Sequence, residues 1–241
     1  MAALLLALAL IQPSPEDDEV RLPPVSVPAL PASASTVEAF VPQGWRIETR
    51  AEGDLDRDGR TDLALVLRTA RPIETTTPYG MSAGQVFDSS PRILAALLAR
   101  QGGYRLALQN HRLIPRPDSS TQAEWMFEEG SLSIERGAIV VALSHFGSSV
   151  GTSIFRLRWQ DDAFRLIGYD FSDVHRYSHC TNTVSINYLT RRMRITHADD
   201  GESPERESWR RLPQRSLLGA DEIGEGTRFH PEGAVSGISC A

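Results

Sequence analysis

The chain has 241 residues, with 31 acidic side chains against 25 basic ones and a net charge of −6. That length suffices for one core of ordinary size, and the acidic balance argues against a general nucleic-acid binder, whose domain would be clearly basic. Two cysteines, Cys180 and Cys240, are too few for a disulfide-rich scaffold or a Cys-rich zinc site.

Residues 2–11 form an unbroken apolar run, too short to span a bilayer and the size of a signal-peptide core. No Lys or Arg precedes it, so either the start codon is placed too late or the α-amino group supplies the only positive charge. Residues 1–19 are read as a signal peptide, which places the mature chain, without a transmembrane span, in the periplasm or outside the cell. In such a compartment one Cys180 to Cys240 bridge is expected, contributing about 4 kcal/mol in the chain-entropy model.

Pro13, Pro15, Pro23, Pro24, Pro28 and Pro31 crowd the next stretch. Such a composition cannot bury enough surface to order itself, so residues 20–35 are expected as a disordered tether. A single β-rich domain is expected over residues 36–241. Ser35-Thr36-Val37-Glu38 has capping-box spacing, and Pro42 limits any helix there to little more than one turn.

Trp45, Ile47, Thr49 and Ala51 then alternate with Arg46, Glu48, Arg50 and Glu52, the period of a strand. Next comes Asp54-Leu55-Asp56-Arg57-Asp58-Gly59-Arg60-Thr61-Asp62. Carboxylates at loop positions 1, 3, 5 and 9, with glycine at 6 for the sharp turn, match the spacing by which a short loop wraps oxygen ligands round calcium. Asp54, Asp56, Asp58 and Asp62 are the candidate side-chain ligands, and Arg60, at position 7, would offer its backbone carbonyl. Position 12 is Leu65 where an EF-hand needs glutamate. Leu63-Ala64-Leu65-Val66-Leu67 follows, apolar on both faces and too short for a helix, so the loop joins two strands. Carboxylates that converge in this way repel until a divalent cation offsets them, so filling the loop should stabilise the fold.

A strand, a D-x-D-x-D-G-x-x-D loop and a buried strand resemble one FG-GAP or VCBS-type repeat, the calcium-binding blade element of integrin-like propellers. Gly53 through Leu67 carry that likeness. A longer run, residues 40–213, also looks like uncharacterised bacterial envelope proteins with a single such loop, through Pro91-Arg92-Ile93-Leu94, Phe155-Arg156-Leu157-Arg158-Trp159, Phe164-Arg165-Leu166-Ile167-Gly168-Tyr169 and Ser185-Ile186-Asn187-Tyr188-Leu189-Thr190. It implies no reaction.

Residues 69–90 show no sustained period and read as an irregular excursion. Residues 92–100 have strong helix propensity, yet the short strand at 104–108 and the resemblance favour a hairpin about Gln101-Gly102-Gly103. Residues 114–120 read as a loop. Further hairpins are expected at 131–134 with 138–143, at 153–159 with 164–169 across Asp161-Asp162, and at 184–189 with 193–196, before a last strand at 207–212. The expected fold is mainly β, an antiparallel meander of hairpins forming an incomplete propeller or a twisted sandwich, with at most short helices.

Gly147-Ser148-Ser149-Val150-Gly151 fits the G-x-S-x-G pattern, but a nucleophile elbow needs a helix after the serine and this one precedes a strand. Asp173, His175, His179 and Cys180 gather in a polar stretch whose spacing matches no standard metal site. Arg191, Arg192, Arg194, Arg206, Arg210, Arg211 and Arg215 make the last third locally basic, with Glu202, Glu205 and Glu207 interleaved as on a charge-balanced surface. The sequence thus points to an exported, non-catalytic binding or envelope-associated module with structural calcium and a protein or glycan ligand. The rival is a periplasmic hydrolase acting near Ser149 or between Asp173 and Cys180.

Overall fold

The computed structural model describes residues 20–77 and 83–231. The chain forms β1 (Ser33–Ala34), β2 (Trp45–Gly53), β3 (Asp62–Thr69), β4 (Glu74–Thr76), β5 (Val86–Asp88), β6 (Arg92–Arg100) and β7 (Gly103–Asn110). After one short helix, α1 (Ser120–Trp125), come β8 (Leu132–Glu135), β9 (Ala138–Phe146), β10 (Ser149–Gln160), β11 (Ala163–His175), β12 (Thr181–Asn187), β13 (Arg192–Ala198) and β14 (Arg206–Arg211).

The strands make two principal antiparallel sheets. One has the order β1-β7-β6-β3-β2, and the other runs β8 to β14 as an uninterrupted meander. The helix-prone run 92–100 is strand β6, because both its faces are covered by partners far along the chain. Tertiary burial overrides the local preference. At the β10–β11 turn Asp161 and Asp162 both adopt positive φ, 49° and 56°, the paired left-handed conformation of a tight hairpin.

Between the sheets lies the larger core. Leu55, Val66, Leu94, Leu98, Val141, Phe155, Leu157 and Tyr169 are among its buried members. The second core lies on the opposite face of β3 and β6, where Leu63, Leu65, Leu67, Ile93 and Leu97 meet Leu30, Val37 and Phe40. Residues 20–35, whose composition marks them as a tether, are ordered by what they touch. The Pro28 carbonyl accepts from Gln109 Nε2 at 2.7 Å, Leu30 N–H donates to Gln109 Oε1 at 2.8 Å, and β1 pairs with β7. The capping-box segment becomes a single 3-10 turn, Glu38–Phe40, which seats Phe40 fully out of solvent. Within the excursion at 69–90, β4 and β5 form a small antiparallel pair.

Three strands of the first sheet are fastened at one end by charge. The register between β2 and β3 slips between Ile47 and Thr49, a bulge that leaves Glu48 unpaired in the ladder. Its carboxylate accepts from Arg92 Nε at 2.6 Å and Arg92 Nη2 at 3.0 Å, and from Arg68 Nη1 at 3.1 Å. Arg68 and Arg92 are direct cross-strand neighbours, an arrangement that destabilises unless anions intervene. Asp88 supplies the second anion, 2.7 Å from Arg68 Nη2. Burial pushes the Asp88 carboxyl up, but the Ser90 hydroxyl and N–H, Arg68 and the Ile73 N–H together hold it below the ordinary 3.8. Asp88 therefore contributes stability above pH 3.8 that is lost as the pH falls through its folded value.

Arg92 is only 2% exposed and lies 5.3 Å over the Phe127 ring. Glu48→Ala strips it of its anion inside the protein and is expected to cost about 3–5 kcal/mol in urea unfolding. A loss below about 1 kcal/mol, the range of a surface pair, would contradict this account of the bulge.

Candidate metal centre

The loop between β2 and β3 sits at the other end of the same strands. Leu55, its one large apolar side chain, is 1% exposed and enters the core between the sheets. That plug leaves Asp58 toward solvent, while Asp56 stays largely covered. Arg57 and Gly59 take positive φ, 64° and 82°; no atom lies within 4 Å of the place a Gly59 side chain would occupy, so glycine serves the backbone conformation there rather than space.

Asp54, Asp56 and Asp58 offer carboxylate oxygens that all lie within 4.8 Å of one another. Among the described residues this is the group of His, Cys, Asp and Glu side chains close enough to share an ion. The Asp54 carboxylate accepts the Asp58 N–H at 3.1 Å and the Gly59 N–H at 3.0 Å, and Asp58 Oδ1 accepts the Arg60 N–H at 2.9 Å. Those bonds fold the loop round its acidic side chains. Arg60 also brings its guanidinium within 3.8 Å of Asp58.

Asp62 is placed differently. It is fully buried beneath the loop, where Oδ2 accepts the Leu55 N–H at 2.8 Å and the Asp56 N–H at 3.4 Å, while Oδ1 accepts the Ala99 N–H of β6 at 2.7 Å. Burial raises its proton affinity, opposed by the Ala99 and Leu55 N–H groups. The net shift is upward from 3.8, so this group's contribution to stability declines as pH rises from 3.8 through its folded value.

Arg100, at the end of β6, reaches into the acidic group. Its Nη2 lies 2.7 Å from Asp56 Oδ2 and its Nη1 lies 3.5 Å from Asp58 Oδ2, while Nη1 also donates to the Ala99 carbonyl at 2.6 Å. Asp56 is 10% exposed, and its other oxygen, Oδ1, is buried with no hydrogen-bond partner. A buried carboxylate oxygen without a donor is costly, and it suits a hard cation. On this observation the residues present fit a calcium ion. Beside Asp56 lies a cavity of 210 Å³ walled by Leu55 and Arg57 and, from the second sheet, by Arg158, Trp159 and Gln160.

The other sequence candidates fall elsewhere. Ser149 begins β10, and the chain continues as strand. Its neighbour Gly151 makes room for a ring. A side chain there would lie 2.5 Å from the His145 imidazole, which crosses β10 at that point to place Nε2 3.0 Å from Asp173 Oδ1. The ring stacks on Phe171. His175 Nδ1 instead meets Ser178 Oγ at 2.8 Å. The parts of a serine hydrolase relay are thus split: among the described residues His145 and His197 each meet a carboxylate, Asp173 and Asp199, while His175 meets Ser178, with no hydrogen bond joining the serine pair to either carboxylate pair. Cys180 is buried beside His197, and Cys240 lies outside the described residues, as do residues 1–19 with the expected signal peptide.

The arginines of the last third lie on a balanced surface. Arg192 and Arg194 are exposed on the face opposite buried Met193 and Ile195; Arg192 covers Trp209 at 4.3 Å, and Arg206 pairs with Asp199 at 2.7 Å. No helix among the described residues is long and apolar enough to cross a membrane. Neither a family model, nor a curated protein, nor a solved structure matches the chain.

His145–Asp173, Glu48–Arg92 and Arg100 with Asp56 are not legible in the sequence, since each joins residues 28 to 44 positions apart. Only strand register could have brought them together. Asp62→Ala would leave the buried Leu55 N–H without an acceptor, at about 1–3 kcal/mol, and the partly buried Ala99 N–H as well. Urea unfolding in EDTA is expected to show a loss of at least about 2 kcal/mol, more than Asp54→Ala costs under the same conditions.

Proposed function

We propose that the chain is an exported, non-catalytic binding module whose calcium loop, residues 54–62, fastens the end of its first sheet. Asp54, Asp56 and Asp58 would hold the ion, with Arg60 at the position that offers a backbone carbonyl, and Asp62 anchors the loop from below. The observation that carries the reading is the buried, unpartnered Asp56 Oδ1 within a group of three converging carboxylates. Calcium suits it better than magnesium because an all-oxygen donor set without octahedral geometry suits calcium's higher and less rigid coordination.

Export rests on the apolar run at residues 2–11. A binding role rests on broad β faces carrying balanced charge. The ligand is a protein or a glycan, met outside the cell or in the periplasm.

An ion that binds only the folded chain must raise its stability, by about 2.7 kcal/mol at one hundred times Kd. Thermal unfolding of the purified chain is expected to show a higher midpoint in excess calcium than in EDTA, a smaller effect of magnesium, and no calcium effect in Asp56→Ala. Equal midpoints in calcium and EDTA would remove the metal from this reading.

A further inference from the structure

Arg100 occupies one carboxylate oxygen on each of two aspartates that would hold an ion, and leaves Asp56 Oδ1 without a partner. Its guanidinium touches Asp56 Oδ2 and Asp58 Oδ2, two of the three acidic side chains in the group. Like charges cannot share those atoms at close range, so a divalent cation and the guanidinium are alternatives there. Asp54, the third member, already has both oxygens bonded to backbone N–H groups of the loop.

We propose that Arg100 is the loop's resident counter-ion, and that a divalent cation binds by displacing it from Asp56 and Asp58. This rests on the calcium reading above and adds to it what sets the site's affinity. Two features make Arg100 suited to the exchange. Its Nη1 bond to the Ala99 carbonyl holds it ready when no ion is present, and its side chain is 36% exposed, so it has a way out to solvent. Ala99 also gives its N–H to Asp62, so two adjacent residues at the end of β6 serve the buried anchor and supply the exchangeable cation.

The consequence is a loop that stays folded without metal and takes metal weakly. The competing guanidinium lowers apparent affinity by the fraction of molecules in which the site is vacated. Reduced ligand charge moves calcium loops toward the millimolar class of extracellular modules, with Kd of about 10⁻⁴–10⁻³ M.

The test is calorimetric calcium titration of the chelator-treated chain beside Arg100→Gln and Arg100→Lys, with the unfolding midpoint of each measured in EDTA. Arg100→Gln is expected to bind calcium at least about tenfold tighter than the unsubstituted chain while melting lower in EDTA. Arg100→Lys, which keeps the charge but not the fork, should fall between them. Equal or weaker calcium affinity in Arg100→Gln, with the unsubstituted chain still binding, overturns the exchange and leaves the calcium reading intact. If the unsubstituted chain, Arg100→Gln and Arg100→Lys all fail to bind calcium, the calcium reading fails and the exchange with it. Should Arg100→Gln not fold, calcium affinity of Arg100→Lys no tighter than that of the unsubstituted chain overturns the exchange.

Discussion

The buried carboxylate of Asp62 is the constraint on which the acidic loop depends. It gathers N–H groups from Leu55, Asp56 and Ala99, and so ties a turn between β2 and β3 to the end of β6. Without such an acceptor, the buried Leu55 N–H and the partly buried Asp56 and Ala99 N–H groups would be left short of partners. With it, the loop's backbone is held by the chain's own groups, and Asp54, Asp56 and Asp58 inherit a defined geometry.

The same three strands are closed at both ends by charge. Glu48, Arg68, Arg92 and Asp88 hold one end, and Asp62 with Arg100 and the acidic loop holds the other. In between, β3 and β6 are apolar on both faces because each face meets its own core. Residues 20–41 thus have a structural purpose: Leu30, Val37 and Phe40 cover a face that the second sheet does not reach. Leu55 joins this scheme from the loop, since its burial between the sheets links the placement of the aspartates to the core itself.

Local signals make much of this legible. The alternation at Trp45 to Glu52 and the doubly apolar run at 63–67 mark β2 and β3, and Asp161-Asp162 marks a tight turn that the backbone adopts. The loop itself is readable from spacing alone, and three of its four carboxylates do converge, whereas Asp62 turns inward to the backbone. Division into two sheets is not readable, because hairpin patterns do not say which hairpins pair with each other. Helix α1 follows the loop read at residues 114–120, in a stretch to which the sequence assigns no element, as its Ser119 cap is followed by only six helical residues. The order of residues 20–35 depends on Gln109 and Arg116, far along the chain, and a proline-rich composition carries no trace of such partners.

The most direct test of the loop as a cation site is terbium luminescence, because Trp159 lines the same cavity as Asp56 and can sensitise a lanthanide held there. Excitation of the indole should give terbium emission that calcium titrates away, with no such emission from Asp56→Ala. Emission that is absent, or that persists unchanged in excess calcium and in Asp56→Ala, would contradict the account: the acidic turn would then be held by its arginines and its buried aspartate alone.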